Sequence, residues 1–305
     1  MRGERAVLRV LQGAPVMHYQ DLGRYGSMHM GVSQGGAVDL HAYCWGNYLL
    51  GNDVGAVSVE VTVGNAVFVA LEDVEVAISG AEMGARIGDV EVANWGVHVV
   101  RRGEVLKLGY ARSGCHGYLA VRGGFCVDGV LGSGSTVVRN DVGELLGKGD
   151  ELVGIGDVVG AVAVSRFTPE EFVPDYDGVE RVRVILGEGL DVGFGEAFLN
   201  MSFMVSAESD RMGRRLVGEG ALPVLAGILS EGVSLGAIQL PPSGDPIVLM
   251  NDRQTQGGYA KVANVARVDL PLMAQVMPSR RVKFEAVSVE QAADEWADFV
   301  RFFGL

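Results

Sequence analysis

A mainly-β fold in two domains is predicted for this chain, on three observations. Forty-five glycines and abundant valine among 305 residues favour short strands joined by tight turns. β-like runs follow one another closely at Val57–Val61, Ala66–Leu71, Glu75–Ser79, Val97–Val100, Val105–Leu108 and Tyr118–Val121. Glycine or Gly-Asp turns separate several of them, the pattern of a barrel or sandwich, and the helical stretches that parallel βαβ units need are missing between them. A hydrophobic content of 48% over this length fills a sizeable core, most naturally divided between two domains.

The helices are few, and each has a local cause. Asp39 caps a helix over Leu40–Leu50, with Gly51 as its left-handed terminator. Thr168-Pro169-Glu170-Glu171 is a capped start with proline at the first helical position, cut short by Pro174. Asp269 is placed to cap a short helix through Val276. Ser288 and Gln291 form a capping-box pattern ahead of a longer helix ending near Phe303. In that helix Ala292, Trp296, Phe299, Val300 and Phe303 share one face, which is expected to pack on the body.

The segment Phe167–Gly178, with two prolines and four acidic residues, is the best boundary, dividing the chain into 1–175 and 176–305. A weak repeat spans it. Gly35-Gly36-Ala37-Val38-Asp39 parallels Ser209-Asp210-Arg211-Met212-Gly213, and Val59–Thr62 with Val67–Ala70 parallels Ile238–Pro241 with Ile247–Met250.

Composition excludes several functions. A net charge of −13 with no basic patch argues against nucleic acid and suits a soluble cytoplasmic protein. No run approaches the roughly 18 apolar residues of a membrane span, and Arg9 interrupts the only stretch that resembles a signal peptide. Cys44, Cys115 and Cys126 are odd in number with no CxxC spacing, as expected of reduced thiols. The five histidines (His18, His29, His41, His98, His116) lack HxH, HExxH or Cys/His quartet spacing, so no metal site is expected. Cys115 and His116 are adjacent, which on a strand points them apart. Gly132-Ser133-Gly134-Ser135-Thr136 matches neither a Walker loop nor a strand-GxGxxG-helix unit.

Two polar blocks interrupt the apolar C-terminal half, and each contains an Asp-Arg pair. The first is Ser209–Arg215. The second, Asn251–Tyr259, follows Pro246–Met250 directly. Polar groups at the end of an apolar strand are costly to bury unless they satisfy one another or a ligand. In the second block Arg253 suits bidentate binding of a carboxylate or phosphate, and Asp252 suits orienting that arginine or acid/base work. Gln254, Thr255 and Tyr259 offer neutral hydrogen-bonding groups, and Gly257 and Gly258 let backbone amides approach a ligand. The alternative is a strand-end turn held by an internal Asp-Arg pair. In the first block Arg211 and Arg215 are i and i+4, so a helical turn would aim both at one anion; a solvated turn with a surface ion pair is the alternative. Glu231 and Gln239 lie between the blocks as further candidates. A third block, Tyr19–Gly26, reads as a local Asp21–Arg24 pair.

An ordered set of motifs then points to a family. It comprises Gln20-Asp21-Leu22-Gly23-Arg24-Tyr25-Gly26, Gly35–Asp39, Gly51-Asn52-Asp53, Ser209–Gly213, Ser230-Glu231-Gly232, Gly236–Gln239 and Asp252–Tyr259. Together, from about residue 7 to residue 285, they resemble the carboxyltransferase family that includes the C component of 5-oxoprolinase (PxpC, also called KipA) and the matching part of urea amidolyase. The resemblance implies tandem cyclophilin-like β-barrel subdomains with a few short helices. It also implies partners, the B component of 5-oxoprolinase (PxpB, or KipI-like) and its A component, in a complex that opens 5-oxo-L-proline to L-glutamate at the expense of ATP. ATP, with or without Mg2+, would be used by the complex, and no cofactor would be attached covalently to this chain. Side-chain chemistry then suggests that Arg253 or Arg211 clamps a carboxylate or phosphoryl group, with Asp210 or Asp252 positioning the arginine. The other substrate-binding candidates are Arg215, Glu231, Gln239, Gln254, Thr255, Gly257, Gly258 and Tyr259.

The chain departs from the family pattern in places. Ser33 and Gly35 stand where a proline and a serine are usual, Gly134 where a basic residue is, and Ala260 where a proline is. The loss of charge at Gly134 removes a reason to expect an N-terminal anion site. Two other functions compete: the carboxyltransferase component of a biotin-dependent urea carboxylase, and a non-enzymatic regulator that binds a histidine-kinase inhibitor. This chain contains no Met-Lys-Met biotin attachment sequence.

Overall fold

The computed structural model describes residues 3–156, 166–179 and 181–305. The chain forms two compact units, one of Met1–Arg24 with Gly35–Pro174 and the other of Tyr25–Gln34 with Asp175–Leu305. The grouping of Tyr25–Gln34 with the C-terminal half has no counterpart in the sequence reading, which divided the chain once, at 175/176.

The first unit contains β1 (Glu4–Gln12), β2 (Val16–Gln20), α1 (Leu40–Leu50), β3 (Ser58–Thr62), β4 (Gly64–Ala70), β5 (Val74–Glu82), β6 (Arg86–Ile87), β7 (Val90–Glu91), β8 (Gly96–Val100), β9 (Val105–Tyr110), β10 (Ser113–Val121) and β11 (Glu151–Ile155). They build a six-stranded sheet, β11-β1-β4-β9-β6-β7, and a five-stranded sheet, β2-β3-β10-β5-β8. The β runs read from the sequence fall on β3, β4, β5, β8, β9 and β10. One core unites the sheets, with Leu8, Phe68 and Leu106 from the first and Met17, Val61 and Leu119 from the second. Asp39 caps α1 by accepting from the Ala42 amide, and Gly51 ends it at φ 68°. The Thr168-Pro169 start yields only a 3-10 turn, Glu170–Phe172, with no side-chain cap.

Two polar networks stiffen this unit. In the five-stranded sheet, register sets Glu60 opposite His18 on β2 and Tyr118 on β10. The fully buried Glu60 carboxylate accepts from the Tyr118 hydroxyl at 2.7 Å and the Val38 amide at 3.1 Å, and it meets His18 Nε2 at 3.3 Å. Burial, then the negative charges of Glu60 and Asp39, hold the Tyr118 hydroxyl well above its ordinary pKa, so it acts as a donor. In the second network, the Asp21 carboxylate accepts from Ser133 Oγ at 2.7 Å, the Gly134 amide at 2.7 Å, Ser135 Oγ at 2.5 Å and the Gly23 amide at 2.7 Å. Arg24 donates to the Ser135 carbonyl and, at 3.4 Å, to that of Val130. The glycine-serine loop therefore already holds an anion, a carboxylate of its own chain. A Cβ at position 134 would lie 2.9 Å from Val57 Cγ2, so glycine fits this packing.

The second unit contains β12 (Arg181–Leu186), α2 (Val192–Asn200), β13 (Phe203–Val205), β14 (Gly213–Gly218), β15 (Glu231–Gly232), β16 (Ala237–Leu240), β17 (Ile247–Leu249), β18 (Gln256–Gly257), β19 (Ala260–Val265), α3 (Leu270–Gln275), β20 (Arg281–Ala286) and α4 (Val289–Phe303). Seven of the strands close into a barrel, β12-β19-β16-β17-β14-β13-β20. α2, capped by Asp191, is not anticipated from the sequence, because Gly193 and Gly195 lower its helical propensity. Ser288 caps α4 by accepting from the Gln291 amide, whereas the Gln291 side chain turns to Glu295, so only half of the capping box forms. Asp269 precedes α3 but does not cap it. Its carboxylate is taken bidentately by Arg183 at 3.0 and 2.6 Å.

The weak repeat is not repeated in topology. β16 and β17 pair as neighbours, while their sequence counterparts β3 and β4 lie in different sheets. Among the described residues, no helix is long and apolar enough to cross a membrane.

Candidate functional site

Strand register brings the two Asp-Arg blocks together. β14 pairs antiparallel with β17, setting Gly213 opposite Leu249 and Arg215 opposite Ile247. The chain before β14 and the chain after β17 thus emerge side by side, and backbone bonds continue the pairing: Met250 N to Met212 O and Asp252 N to Arg211 O, each 2.9 Å. The arginine of the first block then reaches the aspartate of the second. Arg211 Nε donates to Asp252 Oδ2 at 3.0 Å and Nη2 to Oδ1 at 2.9 Å, with the side chains only 10% and 11% exposed.

The crossed pair displaces the alternative raised for the second block, an internal Asp-Arg pair, because Asp252 is taken by Arg211. Arg211 and Arg215 do not share a helical turn, because Arg211 lies in the turn and Arg215 on β14. Asp210 closes that turn by accepting from the Met212 and Gly213 amides at 2.8 and 3.1 Å.

Beside the blocks, the barrel surface opens into a cleft of about 420 Å³ lined by Asp210, Arg215, Gln239, Gln254 and Tyr259, together with Glu208 and Asp245. Among the described residues, no carboxylate lies within ion-pair distance of Arg215. Gln254 Nε2 donates to Gln239 Oε1 at 3.2 Å. Gln239 is 1% exposed, and among the described residues its own Nε2 has no hydrogen-bond partner. A buried amide N–H without an acceptor is costly, and a ligand carbonyl or carboxylate in the cleft would satisfy it. Gly257 backs this amide closely, since a Cβ there would lie 2.6 Å from Gln239 Nε2.

The remaining candidates have other tasks. Glu231 pairs with Lys261 at 2.6 Å and, on β15, stands opposite Gly257 of β18. Thr255 and Gly258 contribute backbone carbonyls to the Val233 and Ile228 amides at 3.3 and 2.9 Å. Arg253, 3% exposed, turns inward. It donates from Nε to the Val233 carbonyl at 3.1 Å, and its Nη2 faces Met28 Sδ at 3.3 Å. Ser33, on the same segment as Met28, donates to the Arg253 carbonyl at 2.7 Å, which gives this departure from the family pattern a local role. The meeting of Arg253 with Met28, and of Arg267 with Tyr25 and the Trp296 ring, escapes sequence reasoning. These residues belong to no common motif, and only the fold assembles them.

With the geometry established, comparison with known proteins gives the family context. The carboxyltransferase domain, subdomain A and B, matches residues 30–286. The chain is 35% identical to the C component of 5-oxoprolinase from Haemophilus influenzae, over 90% of this chain and 89% of that protein. It is 32% identical to the C component of 5-oxoprolinase from Escherichia coli, over 97% of this chain and 96% of that protein. Among solved structures, TTHA0988 superposes with a TM-score of 0.85 at 31% identity, over 92% of this chain and 55% of that one. This chain thus spans about half the length of TTHA0988.

Proposed function

This chain belongs to the carboxyltransferase-domain family, and from that premise we propose that it is the C component of a 5-oxoprolinase, working with partner chains to open 5-oxo-L-proline to L-glutamate. The observation that carries the reading is similarity at 35% and 32% identity, nearly end to end, to two proteins of that name.

The cleft supplies groups suited to a ring that carries one carboxylate and one lactam. Arg215 binds the carboxylate, with the planar fork such a partner favours. Gln239 Nε2 donates to the lactam oxygen, and Gln254 holds the Gln239 amide in that orientation. Asp210, whose Oδ1 is occupied by two backbone amides, offers Oδ2 to the ring N–H. Tyr259 borders the cleft as a further hydroxyl. Arg211 and Asp252 brace the two blocks that present these groups, a supporting part in place of the direct one their chemistry suggested.

ATP does not fit this site. Glu208, Asp210 and Asp245 on the cleft would repel a triphosphate, and the glycine-serine loop is filled by Asp21. We therefore assign ATP, and any Mg2+ that accompanies it, to the A or B component, and the reaction to the cytoplasm where ATP is available.

The test is to co-express the chain with the A and B components and measure ATP-dependent glutamate formation. Arg215→Ala is expected to raise KM for 5-oxoproline about tenfold or more with little change in kcat, as loss of a charge-assisted contact predicts. Gln239→Leu should lower kcat/KM by about 100-fold, the scale of one hydrogen bond to a buried polar group. Gly257→Ala, which displaces the Gln239 amide, should lower it about tenfold. Unchanged kinetics in all three variants would remove the cleft from the reaction. A wild-type complex that makes no glutamate, yet turns over ATP with urea once a biotin carrier is added, would replace the activity itself.

A further inference from the structure

Two arginines of the second unit, Arg253 buried and Arg267 half-buried, have no acid beside them among the described residues. Elsewhere in the chain Arg122, Arg183 and Arg211 each sit on a carboxylate, of Glu75, Asp269 and Asp252 respectively. For Arg253 and Arg267, among the described residues, no carboxylate lies within ion-pair distance. This is notable in a chain with 38 acidic residues against 25 basic ones.

The contacts these two arginines do make are weak for a guanidinium. Arg253 Nη2 faces only the Met28 thioether at 3.3 Å, a poor acceptor, and its Nη1 reaches the Met250 carbonyl at 3.5 Å. Arg267 Nη2 donates to the Tyr25 hydroxyl at 3.3 Å, and its guanidinium lies 5.1 Å from the centre of the Trp296 ring. Tyr25 and Met28 are three residues apart on one segment, so the two guanidiniums meet the same short stretch of chain. Burial pulls the Arg253 guanidinium down to about 10, and the positive charge of Arg267 pulls it the same way. Both remain charged at neutral pH. Two like charges held together in a partly desolvated place, with only a thioether, a hydroxyl and carbonyls for company, lack the counter-charge such groups require.

We propose that Arg253 and Arg267 form a binding site for a small oxyanion, a carboxylate or a phosphate, with Tyr25 as a third donor and Met28 as the group the anion displaces. This site is distinct from the cleft, shares none of its lining residues, and does not depend on the activity proposed for the chain. Carboxylate and phosphate share the chemistry that two guanidinium forks recognise.

The full-length chain tests this without any partner. Titrations with inorganic phosphate and with acetate, at constant ionic strength held by sodium chloride, are followed by calorimetry and by the shift in Tm. Saturable binding of at least one anion is expected, and the tighter of the two identifies the class. Arg267→Gln should weaken it about tenfold or more, and Tyr25→Phe by several-fold. Met28→Leu, which keeps the volume, removes the sulfur and leaves both arginines in place, should leave binding equal or tighter. No saturable binding of either anion by the wild-type chain would overturn the proposal, as would binding that Arg267→Gln leaves unchanged.

Discussion

Replacing Asp252 with alanine is expected to destabilise the C-terminal barrel by about 3 kcal/mol, the lower part of the range for breaking a buried ion pair from one side, because the pair keeps slight contact with water. The deletion leaves the Arg211 guanidinium in a place only 10% exposed, without the carboxylate that accepts two of its N–H groups. At roughly 2–4 °C per kcal/mol for a protein of this class, Tm should fall by about 6–12 °C. The double replacement Arg211→Met with Asp252→Leu should recover much of the loss, since an apolar pair of similar volume carries no stranded charge. Thermal and denaturant unfolding of wild type, Arg211→Met, Asp252→Leu and the double variant measures the coupling. A coupling near zero would mean that the crossed pair does not hold the two blocks together.

The second large effect is expected at Glu60. Glu60→Ala removes one carboxylate from beneath the Tyr118 hydroxyl, the Val38 amide and His18, all buried. With several donors orphaned at once, the loss should reach about 3–5 kcal/mol. Tyr118→Phe deletes a single donor and should cost about 1–2 kcal/mol. Hydrogen exchange in β2, β3 and β10 should report the damage locally, since these strands carry the network. A Glu60→Ala protein as stable as wild type would show that the network is dispensable to the first unit.

What could be read in advance divides by distance along the chain. Asp39 with Gly51 and Ser288 with Gln291 are signals within a few residues, and both helices form where those signals lie. β3, β4, β5, β8, β9 and β10 declare themselves by valine-rich runs between turns for the same reason. Asp269 shows how local reasoning fails: its position is right for a cap, but Arg183, 86 residues away, binds it more strongly. The same holds for the polar blocks. Their composition marked the region correctly, while the pairing of Arg211 with Asp252 across 41 residues depends on the register of β14 with β17. Glu60, His18 and Tyr118 likewise meet only because neighbouring strands align them. Arg253 and Arg267 could not be foreseen as a pair, because an arginine's lack of an acid is a property of three dimensions.

The segment Tyr25–Gln34 has a consequence for how the chain is made. Ser33 bonds to the Arg253 carbonyl across 220 residues, so this segment waits for a part of the chain that is synthesised 220 residues later. At roughly 5–20 residues per second that wait is on the order of 10–45 s. During it Met28 and Tyr25 lack the surfaces that later receive them. For the same reason the C-terminal half is not a separable genetic module. A fragment beginning at Asp175 would lack ten residues of its own unit, and its yield should rise when a peptide spanning Tyr25–Gln34 is supplied alongside it.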